Sequence, residues 1–220
     1  MGISDLRLMF KNKRLLEQAL THKSWVNEHS GVRGSNERLE FLGDSILEFL
    51  VSKRLYEAFP DKEEGYLTAL RANLVNTQNL SEVADNLGIG KAIFLSKGEE
   101  DGGGRENPSL LADTIEAIIG ALFMDVGLES VTEFLEKNLF VQIPLKASQP
   151  LKDAKSRLQE TVQARGNFSP RYIVVEESGP DHSKKFIIEV LVDGKKVGRG
   201  VGKNKSEAEQ EAAQNALAAL

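Results

Sequence analysis

The 220-residue sequence contains no cysteine, one tryptophan, only three histidines and no long apolar run. Without cysteine there can be no disulfide and no thiolate metal site, which fits a reducing compartment. No segment approaches the roughly 18 consecutive apolar residues that read as a membrane span, and Met1 to Lys13 lacks the apolar centre of a secretory signal. A cytoplasmic location without membrane attachment is therefore expected. His22, His29 and His182 never follow an acid by three positions, so the paired Glu-x-x-His motif of a di-iron carboxylate bundle is missing. The glycine-rich stretch Gly98 to Glu106 has no Gly-Lys-Ser/Thr ending, so it is no nucleotide-binding P-loop and reads as a flexible connection.

The charge that is present is divided by region. Hydrophobic residues make up 40% and charged residues 28%, the composition of a globular chain with one or two domains. The net charge of −5 argues by itself against a nucleic-acid partner. Yet residues 1–150 hold 16 basic and 23 acidic side chains, against 12 and 10 in 151–220, so the tail is the better surface for phosphate.

The first informative stretch is Asn36 to Phe49, where Leu39, Leu42, Ile46 and Phe49 recur at helical spacing. At 3.6 residues per turn Glu37, Glu40 and Asp44 then share one narrow arc. Like charges so placed repel, and a divalent cation would relieve them. A second acidic pair, Asp113 and Glu116, stands at i, i+3 within Asn107 to Asp125, a helix that opens on Asn107-Pro108 and is otherwise almost wholly apolar. Buried carboxylates need a partner or a metal. Four acids from two helices make an all-oxygen site suited to magnesium or manganese.

The remaining helices read in order. Lys11 to His22 is expected as one helix with Leu15, Leu16, Ala19 and Leu20 inward, His22 hydrogen-bonding in its last turn, and Asn36 capping the acidic helix, which Phe59-Pro60 ends. Glu63 to Val75 carries Leu67, Leu70 and Leu74; Asn76 caps the next helix, which Gly88 stops, and Leu128 to Phe140 is the last. With no convincing strand before residue 140, residues 1–142 are predicted as an all-α domain, and the two prolines of 143–152 mark a linker. Residues 153–220 then read α-β-β-β-α, with strands at Arg171 to Glu176, Lys185 to Val192 and Lys195 to Val201, a small α+β domain.

The block Glu37-Arg-Leu-Glu-Phe-Leu-Gly-Asp-Ser45, with Leu111-Ala-Asp-Thr-Ile-Glu-Ala-Ile-Ile-Gly-Ala121 downstream, resembles the bacterial ribonuclease III family, and the C-terminal order resembles the double-stranded-RNA-binding domain. Together these cover nearly the whole chain. The resemblance implies a magnesium-dependent endonuclease, with manganese a possible substitute, that cuts both strands of double-stranded RNA as a homodimer. It implies 5′-phosphate ends with short 3′ overhangs, and work on precursors of ribosomal, messenger and other structured RNA. By the same resemblance Glu40, Asp44, Asp113 and Glu116 are metal ligands, Asp44 and Glu116 are catalytic, and Glu37 and Glu64 are secondary site residues. Phe41 is expected at the dimer interface, inserted into the partner, with Gly43 allowing close approach. Members usually carry one more helical turn before Lys11, so the Met1-Gly2-Ile3 start is expected to be a shortened one. A catalytically silent RNA-binding relative with the same fold is the rival reading, and the four acids argue against it.

A-form RNA is read by shape, 2′-hydroxyls and phosphates. Gln159, Glu160 and Gln163 on one face of the first C-terminal helix, His182 in the Gly179 to His182 loop, and Lys203 and Lys205 at the start of the last helix are the candidate contacts. Ser206-Glu207 follows Lys205 where the family usually has basic residues, which predicts weaker phosphate binding there.

Overall fold

The structure, a computed structural model, describes residues 2–151, 153–180 and 184–220. It forms two compact units that divide between Leu151 and Asp153. The first holds helices α1 (Ile3–Met9), α2 (Lys13–Ala19), α3 (Lys23–Glu28), α4 (Glu37–Ala58), α5 (Glu64–Val75), α6 (Thr77–Leu87), α7 (Lys97–Asp101), α8 (Pro108–Val126), α9 (Leu128–Asn138) and α10 (Ile143–Ser148). Apart from one isolated bridge between Thr21 and Phe94, its described residues form no strand.

Helix α8 is the axis of this unit. Asn107 Oδ1 accepts from the backbone amides of Ser109 and Leu110, Pro108 needs no amide partner in the first turn, and the run Leu110 to Leu122 is buried except at Asp113 and Glu116. Helices α4, α6 and α2 pack around it. The closest crossing is with α4, where Gly43 and Gly120 meet. A Cβ on Gly43 would lie 1.7 Å from the Glu116 carbonyl oxygen, and one on Gly120 would lie 2.1 Å from that of Leu39. Gly43 thus serves a crossing inside this chain, not the approach of a partner.

Several local expectations are corrected. The single helix over Lys11 to His22 breaks after Ala19, because Leu20 O accepts from Phe94 N and Phe94 O from His22 N, and α1 precedes it. Asn36 begins α4 without a side-chain cap; it is buried, and its backbone amide donates to Thr21 O at 2.8 Å. Along α4 the core stripe is Leu39, Ile46, Leu47, Leu50, Val51 and Leu55, while Leu42 is half-buried and Phe49 exposed. The stretch Gly98 to Glu106 is no loose connection. Ser96 caps α7, Gly104–Glu106 forms a helical turn, and the Arg105 guanidinium donates to Gly90 O, Ile93 O and Glu100. Residues 143–148, expected as linker, form α10: Ile143 enters the helical core, and Asn73 Nδ2 donates to Leu151 O. Pro144 sits in the first turn of that helix, where its missing amide costs nothing.

The second unit runs α11 (Ala154–Ala164), β1 (Arg171–Ser178), β2 (Lys185–Val192), β3 (Lys195–Gly202) and α12 (Lys205–Ala219). The strands pair antiparallel in the order β1-β2-β3, with a bulge in β1 between Val174 and Glu176. Asp193 (φ 50°) and Gly194 (φ 77°) make the β2–β3 turn, the left-handed pair that a two-residue hairpin needs. Phe186, Ile188, Val190 and Val192 alternate inward against Leu158 and Val162 of α11 and the alanines of α12. Here α12 lies directly on β3, because Gly198, Gly200 and Gly202 leave room for the α12 backbone.

Candidate active site

The α4–α8 crossing carries the acids. With Gly43 and Gly120 in backbone contact, the turn of α4 that bears Glu40 and the turn of α8 that bears Asp113 and Glu116 face each other. Glu40, Asp113 and Glu116 each offer a carboxylate oxygen, and these atoms lie within 4.8 Å of one another. All three are partly buried. Asp44 is exposed and lies outside that tight group, one helical turn beyond Glu40, yet its charge is the strongest single influence on Glu116 after burial itself.

Their proton affinities record the crowding. Burial, followed by the charges of Asp44, Asp113, Glu40 and Glu48, pushes the Glu116 carboxyl up to about 7. Burial also raises Asp113 and Glu40, the latter reinforced by Asp113 and Glu37. Such a set binds a proton or a cation in place of neutral solvent. The donors are all carboxylate oxygens, so a hard divalent ion fits them better than zinc or copper.

Glu37 does not join the group. It takes hydrogen bonds from Ser35 Oγ at 3.0 Å and Lys23 Nζ at 3.4 Å, and these hold its carboxyl below the usual range. Glu64 is exposed at the start of α5, accepts from Thr68 Oγ1 at 2.7 Å and lines a groove of about 350 Å³ with Phe49, Tyr56 and Arg71. His22 caps α3, its Nδ1 accepting from the Ser24 amide, and burial lowers its pKa. Phe41 projects from α4 with 79% of its surface exposed. Sequence reasoning did not single out Lys23, which pairs with Glu37 at 3.4 Å, or Glu99, whose charge acts on His22. The only local signal was the His22-Lys23 pair at a helix start.

Residues 12–143 match the family model described as Ribonuclease-III-like, and residues 154–220 match the Double-stranded RNA binding motif. The chain belongs to the ribonuclease III family. It is 49% identical to Ribonuclease 3 of Geobacillus kaustophilus over 99% of its own length and 89% of that protein's. Ribonuclease 3 of Anoxybacillus flavithermus is likewise 49% identical, over 97% of this chain and 90% of the relative. The nuclease domain of ribonuclease III from Campylobacter jejuni matches as a structure at 41% identity with a TM-score of 0.55, covering 62% of this chain and 98% of that one. That structure is described as flexible in a region involved in dimer formation. A second structure of the same domain gives a TM-score of 0.57 at 38% identity, covering 67% and 97%.

As a ribonuclease III family member the chain is an endoribonuclease, and its second unit is a double-stranded-RNA-binding domain. There, Gln159, Glu160 and Gln163 are exposed on α11, and Lys203 and Lys205 are exposed at the start of α12. His182 lies outside the described residues. The start of α12 is less open to phosphate than the sequence implies. Asn204 Oδ1 accepts from Glu207 N, the Glu207 carboxylate accepts from Lys203 N at 2.9 Å, and Glu211 accepts from Val201 N. The Asn204 side chain and the carboxylates of Glu207 and Glu211 occupy those three amides, while Lys203 and Lys205 stay exposed.

Proposed function

We propose that this ribonuclease III family member cuts both strands of duplex RNA as a homodimer that depends on magnesium, with manganese able to replace it. Glu40, Asp44, Asp113 and Glu116 would hold the metal. The supporting observation is the convergence of three carboxylates from two helices to within 4.8 Å, with Asp44 close enough in charge to act on Glu116. A bound divalent ion would polarise the scissile phosphate and lower the pKa of an attacking water. In the reaction a water oxygen bonds to phosphorus, the bond to the 3′-oxygen breaks, and that oxygen takes a proton, which leaves a 5′-phosphate. With its carboxyl pushed up to about 7 by burial and the neighbouring acids, Glu116 would give up a proton as the site fills with metal.

The dimer reading rests on α4. At 100° per residue Phe41, Phe49 and Tyr56 fall within an arc of about 80°, and they are 79%, 55% and 75% exposed. Large exposed aromatics gathered on one helix face support an interface there. Glu64 lines a groove with Phe49 and Tyr56, so in the dimer it would face the partner. A two-fold dimer sets one site against each strand of the duplex, which is itself two-fold, and a staggered cut with short 3′ overhangs follows. Precursors of ribosomal, messenger and other structured RNA are the substrates this specificity suits, and acting on them would place the enzyme in the cytoplasm.

The test is Glu116→Gln in the full chain. Cleavage of duplex RNA in magnesium should fall at least about 100-fold while gel-shift affinity stays within about threefold. Equal loss of both would remove Glu116 from the metal site.

A further inference from the structure

An acidic cluster that must receive an RNA phosphate needs a cation beside it, and the first unit supplies one on a fixed segment. Thr21 is tied from two sides: it bridges to Phe94, and its carbonyl accepts from Asn36 N at 2.8 Å. These ties hold the start of α3 against the start of α4. Lys23, the first residue of α3, therefore stands beside Glu37, the first residue of α4 and one turn before Glu40. Its ammonium is 3.4 Å from Glu37 Oε1, and Ser35 Oγ steadies the other oxygen at 3.0 Å. The two side chains are 62% and 54% exposed, so the pair is weak and easily exchanged. The lysine's charge also reaches Glu40 and Asp113, where it opposes the mutual repulsion of the acids.

We propose that Lys23 is a substrate-positioning residue of the nuclease site, parked on Glu37 in the free enzyme and transferred to an RNA backbone phosphate next to the scissile bond when duplex binds. A lysine suits the exchange because its charge is compact, its stem is flexible and its three donors rotate. The assignment rests on the nuclease reading above and adds a residue to it. It carries two consequences of opposite sign. Removing the positive charge weakens productive RNA binding, but it leaves the carboxylates more strongly negative towards a cation.

The experiment compares wild type, Lys23→Gln and Lys23→Arg as full-length proteins. Cleavage of a duplex RNA in magnesium is followed across a salt series, and manganese affinity is measured without RNA by titration calorimetry. For Lys23→Gln, kcat/KM should fall about tenfold, as expected on losing one charge-assisted contact, and the slope of log kcat/KM against log salt should flatten by about one. Manganese should bind about two- to fivefold more tightly, because one nearby positive charge is gone. Lys23→Arg should restore most of the activity and the salt slope. Unchanged kcat/KM and salt slope in Lys23→Gln would overturn the assignment. So would joint weakening of cleavage and manganese binding, which would make Lys23 a structural residue. Wild type inactive on duplex RNA would instead overturn the nuclease reading and this inference with it.

Discussion

A methyl group on Gly43 would fall 1.7 Å from the carbonyl oxygen of Glu116, a backbone atom that no side-chain rotation can move. The residue without a side chain therefore fixes how near Glu116 comes to Glu40. Gly43→Ala should force α4 and α8 apart and destabilise the first unit by about 2–3 kcal/mol, the usual scale of overpacking. It should also weaken manganese binding, since the carboxylates would no longer converge. Thermal unfolding and calorimetry check both, and a variant with unchanged Tm and metal affinity would show that the crossing does not set the site. At this scale the acids were legible in the sequence, because Glu40, Asp113 and Glu116 interrupt apolar helical patterns. The role of Gly43 was not, since its contact is with a residue more than seventy positions away. Asp44 also differed: its spacing placed it with Glu40, but the structure leaves its carboxylate outside the tight group.

Among the elements, α4 has two working faces. One is buried on α8 through Leu39, Ile46, Leu47 and Leu50, and the other carries Phe41, Phe49 and Tyr56 into solvent. Phe49 reads as core from its spacing, because a stripe eight residues from Phe41 and ten from Leu39 overlaps both faces; only the tertiary packing assigns it. Since burial of this aromatic arc would drive dimerisation, Phe41→Ala should shift sedimentation from dimer towards monomer while leaving the far-UV helix signal unchanged. An unchanged mass would separate Phe41 from the interface. Elements held by long-range contacts were the least legible. The bend at Thr21 depends on Phe94, and the order of Gly98 to Glu106 depends on Arg105 joining Glu100 of α7 to Gly90 and Ile93. By contrast, the hairpin strands were plain from β-branched runs and the Asp193-Gly194 turn, whose cause is local.

For the whole molecule, the change in hydrophobic period near residue 150 marked two units, and the structure divides the chain there. The first unit runs further than expected, because Pro144 opens a helix instead of a tether. No described helix is long and apolar enough to cross a membrane. The division of charge follows the division of labour proposed: acids gather where metal would bind, and the RNA-binding domain carries the basic excess. The proposed cleavage requires oxygens from α4 and α8 to share a divalent ion. The direct measurement is an anomalous-scattering map from crystals of the full chain grown with manganese. A peak about 2.1 Å from carboxylate oxygens of Glu40, Asp113 and Glu116 is the predicted result. Strong peaks elsewhere with this cluster empty, at manganese concentrations that support cleavage, would contradict it.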